Sequence, residues 1–207
     1  GEAIKGDLTA SIVGLPQSEP TLKVTYVQPK DFNGLLRYVR NILVINIDPA
    51  VYTKTSLAYE ADRWAQNQVV VTLRSPDAAS ILAYLEEGHT LSDFFVKVEM
   101  RRAISQLKDG YSTLVMDKLK DQFDVMLNAP SNFTYYKDTT DFFWSSNNAN
   151  TGRMDLVVYS FPYTDPNTFT VDYLVAKRDS VMKANLPGSF PGSYVQTEKR
   201  AGVDYQA

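Results

Sequence analysis

Few residues in this chain are equipped for chemistry. Histidine occurs once, at position 89, and cysteine does not occur. A lone histidine acts as a general base only beside a nucleophile and an orienting group, and no Gly-x-Ser-x-Gly elbow accompanies it. His89 follows Gly88 at a helix junction, so we read it as a structural or surface residue. The absence of cysteine removes disulfides, thiolate-bound zinc, iron–sulfur clusters and thiol nucleophiles. One histidine without cysteine also argues against a transition-metal site. No glycine-rich segment resembles a phosphate cradle; Gly188-Ser189-Phe190-Pro191-Gly192 reads as a loop. No cofactor and no bound metal are therefore expected.

Oxygen ligands are more plentiful. Asp138 and Asp141 lie near Asn147, Asn148 and Asn150, but a calcium loop needs acidic groups at its first, third and fifth positions and glycine at the sixth. These residues read as solvated turns. Paired carboxylates hydrolyse glycosides when suitably separated; Glu60, Asp62, Glu86 and Glu87 are candidates, with nothing to single out a pair. The aromatic residues are more informative. Tyr135, Tyr136, Phe142, Phe143 and Trp144 fall close together, and Tyr159, Phe161 and Tyr163 follow. Aromatic faces stack on sugars and peptides, and exposed aromatic patches mark interaction sites. They also pack cores and pair across strands. Along a strand Phe142 and Trp144 share one face and Phe143 takes the other, so at most part of the cluster can be exposed. Tyr135, Tyr136 and Trp144 are the candidate ligand-binding residues.

Elements must position these groups. Leu22–Val27 alternates and reads as a strand ended by Pro29. Phe32–Val39 carries helical spacing. Asn41–Ile47 and Gln68–Leu73 are runs rich in β-formers that read as buried strands, joined by a polar connection at 50–66. Residues 1–20 read as an irregular lead-in with one short helix at Leu8–Val13. Ser75-Pro76-Asp77 starts a helix that Gly88 stops, with Ser75 as cap. Thr90 caps a longer helix to about Leu107, with Asp93 three residues on. Residues 111–120 form a further helix. Phe123–Leu127, Asp141–Ser146 and Met154–Phe161 read as strands, and a last helix runs from Asp165 to about Ala184. Residues 188–207 read as a polar tail.

The order repeats. Val24–Pro29 matches Val125–Pro130, and Asn41–Asn46 matches Phe142–Asn147 at the same spacing. Gln68–Leu73 then matches Asp155–Ser160, each followed by a proline-containing helix start. The expected fold is thus α+β: one unit of 207 residues made of two pseudo-repeated β-(α)-β-β-α halves, 22–88 and 123–186, with helices at 90–120 between them. Strands are mainly antiparallel, with helices packed on the sheet.

Composition bounds the partners. Hydrophobic residues make up 44% and net charge is −3, so the chain can bury a core rather than stay disordered. Basic residues total 21 against 24 acidic ones, and the densest spots are only the pairs Arg101-Arg102 and Lys177-Arg178. That argues against nucleic acid as a partner. No stretch approaches the ~18 continuous apolar residues of a membrane span.

Gly14-Leu15-Pro16-Gln17, Tyr38-Val39-Arg40-Asn41-Ile42-Leu43-Val44, Trp64-Ala65 before Gln68-Val69-Val70, Lys177-Arg178-Asp179-Ser180 and Asn185-Leu186-Pro187-Gly188 occur in this order. Together they resemble a family of uncharacterised Bacteroidetes lipoproteins, a domain of unknown function, over about residues 12–198. The resemblance implies export to the cell envelope and a lipid anchor on a cysteine upstream of this chain, its only attachment to the membrane. It also implies further strands and a helix beyond Ala207, and it brings no catalytic residues. The function expected is non-catalytic binding of an envelope partner protein or a glycan. The alternatives are a carboxylate-dependent hydrolase of cell-wall or dietary polysaccharide and a purely structural domain.

Overall fold

A computed structural model describes residues 1–199 except Gly14, Pro16 and His89. The reading of His89 and that of the end of the tail therefore lie outside the described residues. The chain divides into two units, one formed by Gly1–Val13 with Gln17–Ala103, the other beginning at Ile104. Each holds a three-stranded sheet with helices, and the expected α+β class is what the structure has.

The first unit is organised by β3, Val69–Ser75, at the centre of its sheet. Val69, Val71 and Leu73 form one apolar face that helices must cover, and the strand is bonded on both sides. β1, Asn41–Ile47, pairs with it in parallel, and β2, Ser56–Ala61, antiparallel. Val69, Val71 and Leu73 pack on Ile4 and Leu8 of α1 (Glu2–Leu8), Ile81 of α2 (Ala78–Glu86), and Leu91 and Phe95 of α3 (Leu91–Asp109). Each such buried side chain contributes about 1.5–3 kcal/mol.

Polar side chains fix the joints. Gln68 is buried; its Nε2 donates to the carbonyls of Arg37 (2.6 Å) and Val39 (2.7 Å), and its Oε1 accepts from Trp64 N–H. That ties two loops to the start of β3. The first turn of α3 is capped from far along the chain. Asp7 Oδ2 accepts from Leu91 N–H (2.8 Å) and Ser92 N–H (3.2 Å), and Asp7 Oδ1 accepts from the Ser92 hydroxyl.

The second unit centres on β5, Phe142–Ser146, between β4, Tyr135–Thr139, and β6, Asp155–Tyr159, all antiparallel. Phe143, with Leu156 and Val158, packs on Val115 and Leu119 of α4 (Thr113–Phe123) and on Phe133. α5, Val171–Asn185, follows with Thr170 as its cap.

Several boundaries differ from the sequence reading. Residues expected as the strands Leu22–Val27 and Phe123–Leu127 have no ladder. Leu22 N–H bonds to Leu8 O, and Val24 and Tyr26 face solvent. Phe123 ends α4, where Asp124 turns left-handed at φ 54°. Alternation without a hydrogen-bonded neighbour does not make a strand. The early helix lies at Glu2–Leu8 rather than Leu8–Val13, because Ile4 and Leu8 share one face. Phe32–Val39 holds only a 3₁₀ segment, Gly34–Tyr38, with Leu35 exposed. β2 lies inside the connection read as 50–66, and β4 had no counterpart in the reading. The last helix starts at Val171 because Asp165 closes a turn, accepting from Asn167 N–H.

Two caps also differ. Asp77, not Ser75, caps α2, accepting from Ser80 N–H at 2.7 Å; Ser75 Oγ donates to Asp77 O instead. Thr90 does not cap α3, and its hydroxyl is buried without a partner among the described residues. The strands matched by the internal repeat run parallel in the first unit and antiparallel in the second.

Loss of a side-chain cap costs about 1–2 kcal/mol. Asp7→Ala should lower the stability of the first unit by that amount in urea denaturation followed by circular dichroism. Thr90→Ala should be neutral or slightly stabilising, since it removes an unpaired buried hydroxyl. The reverse order would place the cap on Thr90.

Candidate functional site

The antiparallel register of the second sheet sorts its side chains between two faces. Tyr136 opposes Ser145, and Asp138 opposes Phe143. This face is the one covered by α4. Tyr136 stacks on Phe143 with centroids 6.4 Å apart, and Lys118 Nζ sits 5.0 Å from the Tyr136 ring. Lys118 also donates to Asp138 at 2.7 Å, a hydrogen bond that raises its ammonium pKa above the ordinary range.

Tyr135, Lys137, Trp144 and Asp155 lie on the opposite face. Tyr135 is 54% exposed and Trp144 is half-buried, whereas Phe142 and Phe143 are fully buried. Of the three aromatic residues of β5, then, Trp144 alone reaches solvent. The candidate binding residues divide accordingly: Tyr135 and Trp144 share a face, and Tyr136 stands on the other.

Trp144 is held in place. Its indole Nε1–H donates to Asp155 Oδ1 at 3.0 Å. Arg153 grips the same carboxylate through Nε (3.1 Å to Oδ2) and Nη2 (3.1 Å to Oδ1). Burial works to raise the Asp155 pKa, but hydrogen bonds from Arg153, Ser146 and Trp144 outweigh it and hold the carboxyl below its ordinary value. The loop before β6 fixes this geometry. Asn147 Oδ1 accepts from Ala149 N–H and Met154 N–H, and Asn147 Nδ2 donates to Gly152 O. Asn147, one of the asparagines considered as a calcium ligand, thus organises a turn, and Asp138 is paired with Lys118.

α5 reaches the Trp144 face at its margins. Lys137 Nζ donates to Asn185 O (2.6 Å), and rings run from Tyr159 through Phe161 to Tyr173, with Lys177 Nζ 5.0 Å from the Phe161 centroid. Tyr163 and Phe169 form a separate exposed pair at 5.4 Å. A concavity lies elsewhere in this unit. It is an open groove of about 670 Å³ along α4, lined by Leu114, Asp117, Asp121, Gln122, Asp138 and Thr139. Glu60, by contrast, pairs with Arg63, and Asp62 accepts from Gln68 N–H.

Sequence reasoning missed Asp155 and Arg153. The signal available was the Asn147–Gly152 turn, which sets Asp155 opposite Ser146 and two residues from the partner of Trp144.

Residues 1–108 match the model of a domain of unknown function, DUF8532. The chain belongs to that family. Residues 112–207 match a second one, DUF4837. The junction falls where α3 gives way to α4, so the Trp144 face is part of the DUF4837 region and β1–β3 part of the DUF8532 region. No curated protein and no solved structure matches the chain.

The Asp155 linkage can be read directly at Trp144. The depressed carboxyl stays ionised until pH falls below the usual value of ~3.9, and its contribution to folding is present above that value and lost on further acidification. The indole N–H resonance of Trp144 should therefore shift with a midpoint below ~3.9, and Arg153→Ala should raise that midpoint. An Arg153-independent midpoint would mean that the ion pair does not set the site.

Proposed function

We propose that this chain is the folded body of a lipid-anchored cell-envelope protein of the Bacteroidetes lipoprotein type, and that it binds without catalysis. The ligand is a glycan or a partner protein, with the Tyr135–Trp144 face as the contact surface. The observation that carries this reading is the fixed indole. Trp144 is the one β5 aromatic open to solvent, its ring is oriented by Asp155 and Arg153, and Tyr135 stands diagonally across the pair. A rigid aromatic body with polar groups at its edge suits the apolar face and hydroxyl rim of a sugar. The location draws on the sequence resemblance, and it accords with the finding that no described helix is long and apolar enough to cross a membrane.

A second reading, carboxylate-dependent hydrolysis of cell-wall or dietary polysaccharide, draws on the groove along α4. There Asp117 and Asp121 stand one helical turn apart, with Asp138 on β4. Asp138 is engaged by Lys118, which leaves Asp117 and Asp121 for acid–base work.

Thermal shift against muropeptides and polysaccharide fragments separates the two. A ligand at 100 times its dissociation constant adds about 2.7 kcal/mol, or roughly 5–10 °C for a chain of this size. Trp144→Ala or Tyr135→Ala should weaken binding about tenfold or more, roughly 1.4 kcal/mol, whereas Tyr136→Ala should alter stability rather than affinity. Reducing-end release that disappears in Asp121→Asn would favour hydrolysis. No shift with any glycan would leave a protein ligand for this face.

A further inference from the structure

Each three-stranded sheet has two edges: β1 and β2 in the first, β4 and β6 in the second. An edge strand presents a row of unpaired backbone groups that invites another chain, and proteins ordinarily block it with charge, proline or a bulge. β2 carries Glu60, β4 carries Lys137 and Asp138, and β6 opens on Asp155. β1, Asn41-Ile42-Leu43-Val44-Ile45-Asn46-Ile47, carries no charge and no proline.

The bonds at its two ends show which backbone groups face outward. Val69 N–H donates to Arg40 O at one end, and Asp48 N–H to Ser75 O at the other. With the parallel register between them, the even-numbered residues of β1 bond to β3. The odd-numbered ones, Asn41, Leu43, Ile45 and Ile47, direct N–H and C=O away from it. Among the described residues no loop segment bonds to these groups. Ile45 and Ile47 are also exposed, at 41% and 50%.

We propose that β1 pairs antiparallel with β1 of a second copy of this chain, about a twofold axis through Val44. The strand is self-complementary about that residue. Leu43 meets Ile45 and Asn41 meets Ile47, all outward-facing in both copies, so each pair exchanges two N–H···O bonds. Val44 meets Val44, and Ile42 meets Asn46. One position beyond the strand at each end, Arg40 of one copy faces Asp48 of the other. The Arg40 side chain is 68% exposed, and opposite charges directly across an antiparallel pair are favourable. Because Arg40 and Asp48 are equally spaced from Val44, this register satisfies both ends at once. An unrelated strand would need the same charges at the same spacing. The axis stands perpendicular to the sheet, so the faces packed by α1–α3 lie on the same side and the contact is isologous.

Sedimentation velocity of the whole chain over a concentration series tests this. The expected result is a concentration-dependent dimer. Ile47→Lys places a charge on the edge and should give a monomer with unchanged circular dichroism. Arg40→Asp should weaken the dimer about tenfold by setting like charges opposite, and Arg40→Asp with Asp48→Arg should restore it. A merely structural role for Arg40, which also bonds Glu99, would not be rescued by the second change. A chain that stays monomeric throughout, an Ile47→Lys chain that still dimerises, or a double variant that is not restored would overturn the proposal.

Discussion

A sheet of three strands has one centre and two edges, and that constraint governs both units of this protein. Only the central strand is bonded on both sides, and in each unit it is the most deeply buried of the three. In the first unit this is Val69–Ser75, in the second Phe142–Ser146. The burial of these strands against α1–α3 and against α4 selects which helices form where. Cross-chain polar ties then fix what burial leaves loose: Asp7 at the start of α3 and Gln68 beneath two loops. Neither tie is a local motif, since each joins residues far apart in sequence.

The same constraint decides what remains available for recognition. A small sheet offers its uncovered face and its edges. In the second unit the face opposite α4 buries Phe142 but leaves Trp144 partly open, and the Arg153–Asp155 pair orients it. With side chains 50% and 38% exposed, that pair adds little to stability, as exposed ion pairs contribute about 0–1 kcal/mol. Its consequence is geometric: the indole is fixed in one orientation, which lowers the entropy lost on binding. In the first unit the corresponding opportunity is the uncharged outer edge of β1. The two features fall in different family regions, DUF4837 and DUF8532, so the proposed association and the proposed ligand binding involve separate parts of the chain.

Much of the architecture was legible in the sequence. Strands with dense β-branched or aromatic content, Asn41–Ile47, Val69–Ser75 and Phe142–Ser146, announce themselves by their runs of consecutive β-formers. The split of Phe143 from Phe142 and Trp144 followed from strand alternation alone. Polar edge strands were not legible: Tyr135–Thr139 is exposed at every position, and its β character comes only from its partner β5. Val24 and Tyr26 show the converse, alternation with no strand beside it. Caps were misjudged where a carboxylate took the place of a hydroxyl: the distant Asp7 instead of Thr90, and the nearby Asp77 instead of Ser75. The site was half legible for the same reason. The aromatic residues were visible, but Asp155 and Arg153 gain meaning only when the turn folds β6 back onto β5.

The central proposal is that this protein meets its ligand at the Tyr135–Trp144 face. Amide and indole chemical shifts of the isotopically labelled chain, followed while muropeptides and polysaccharide fragments are added, test it most directly. Saturable shifts centred on Tyr135, Lys137, the Trp144 indole and Asp155 are expected, with the amides around Asp117 and Asp121 unmoved. Shifts centred instead on the α4 groove would contradict it.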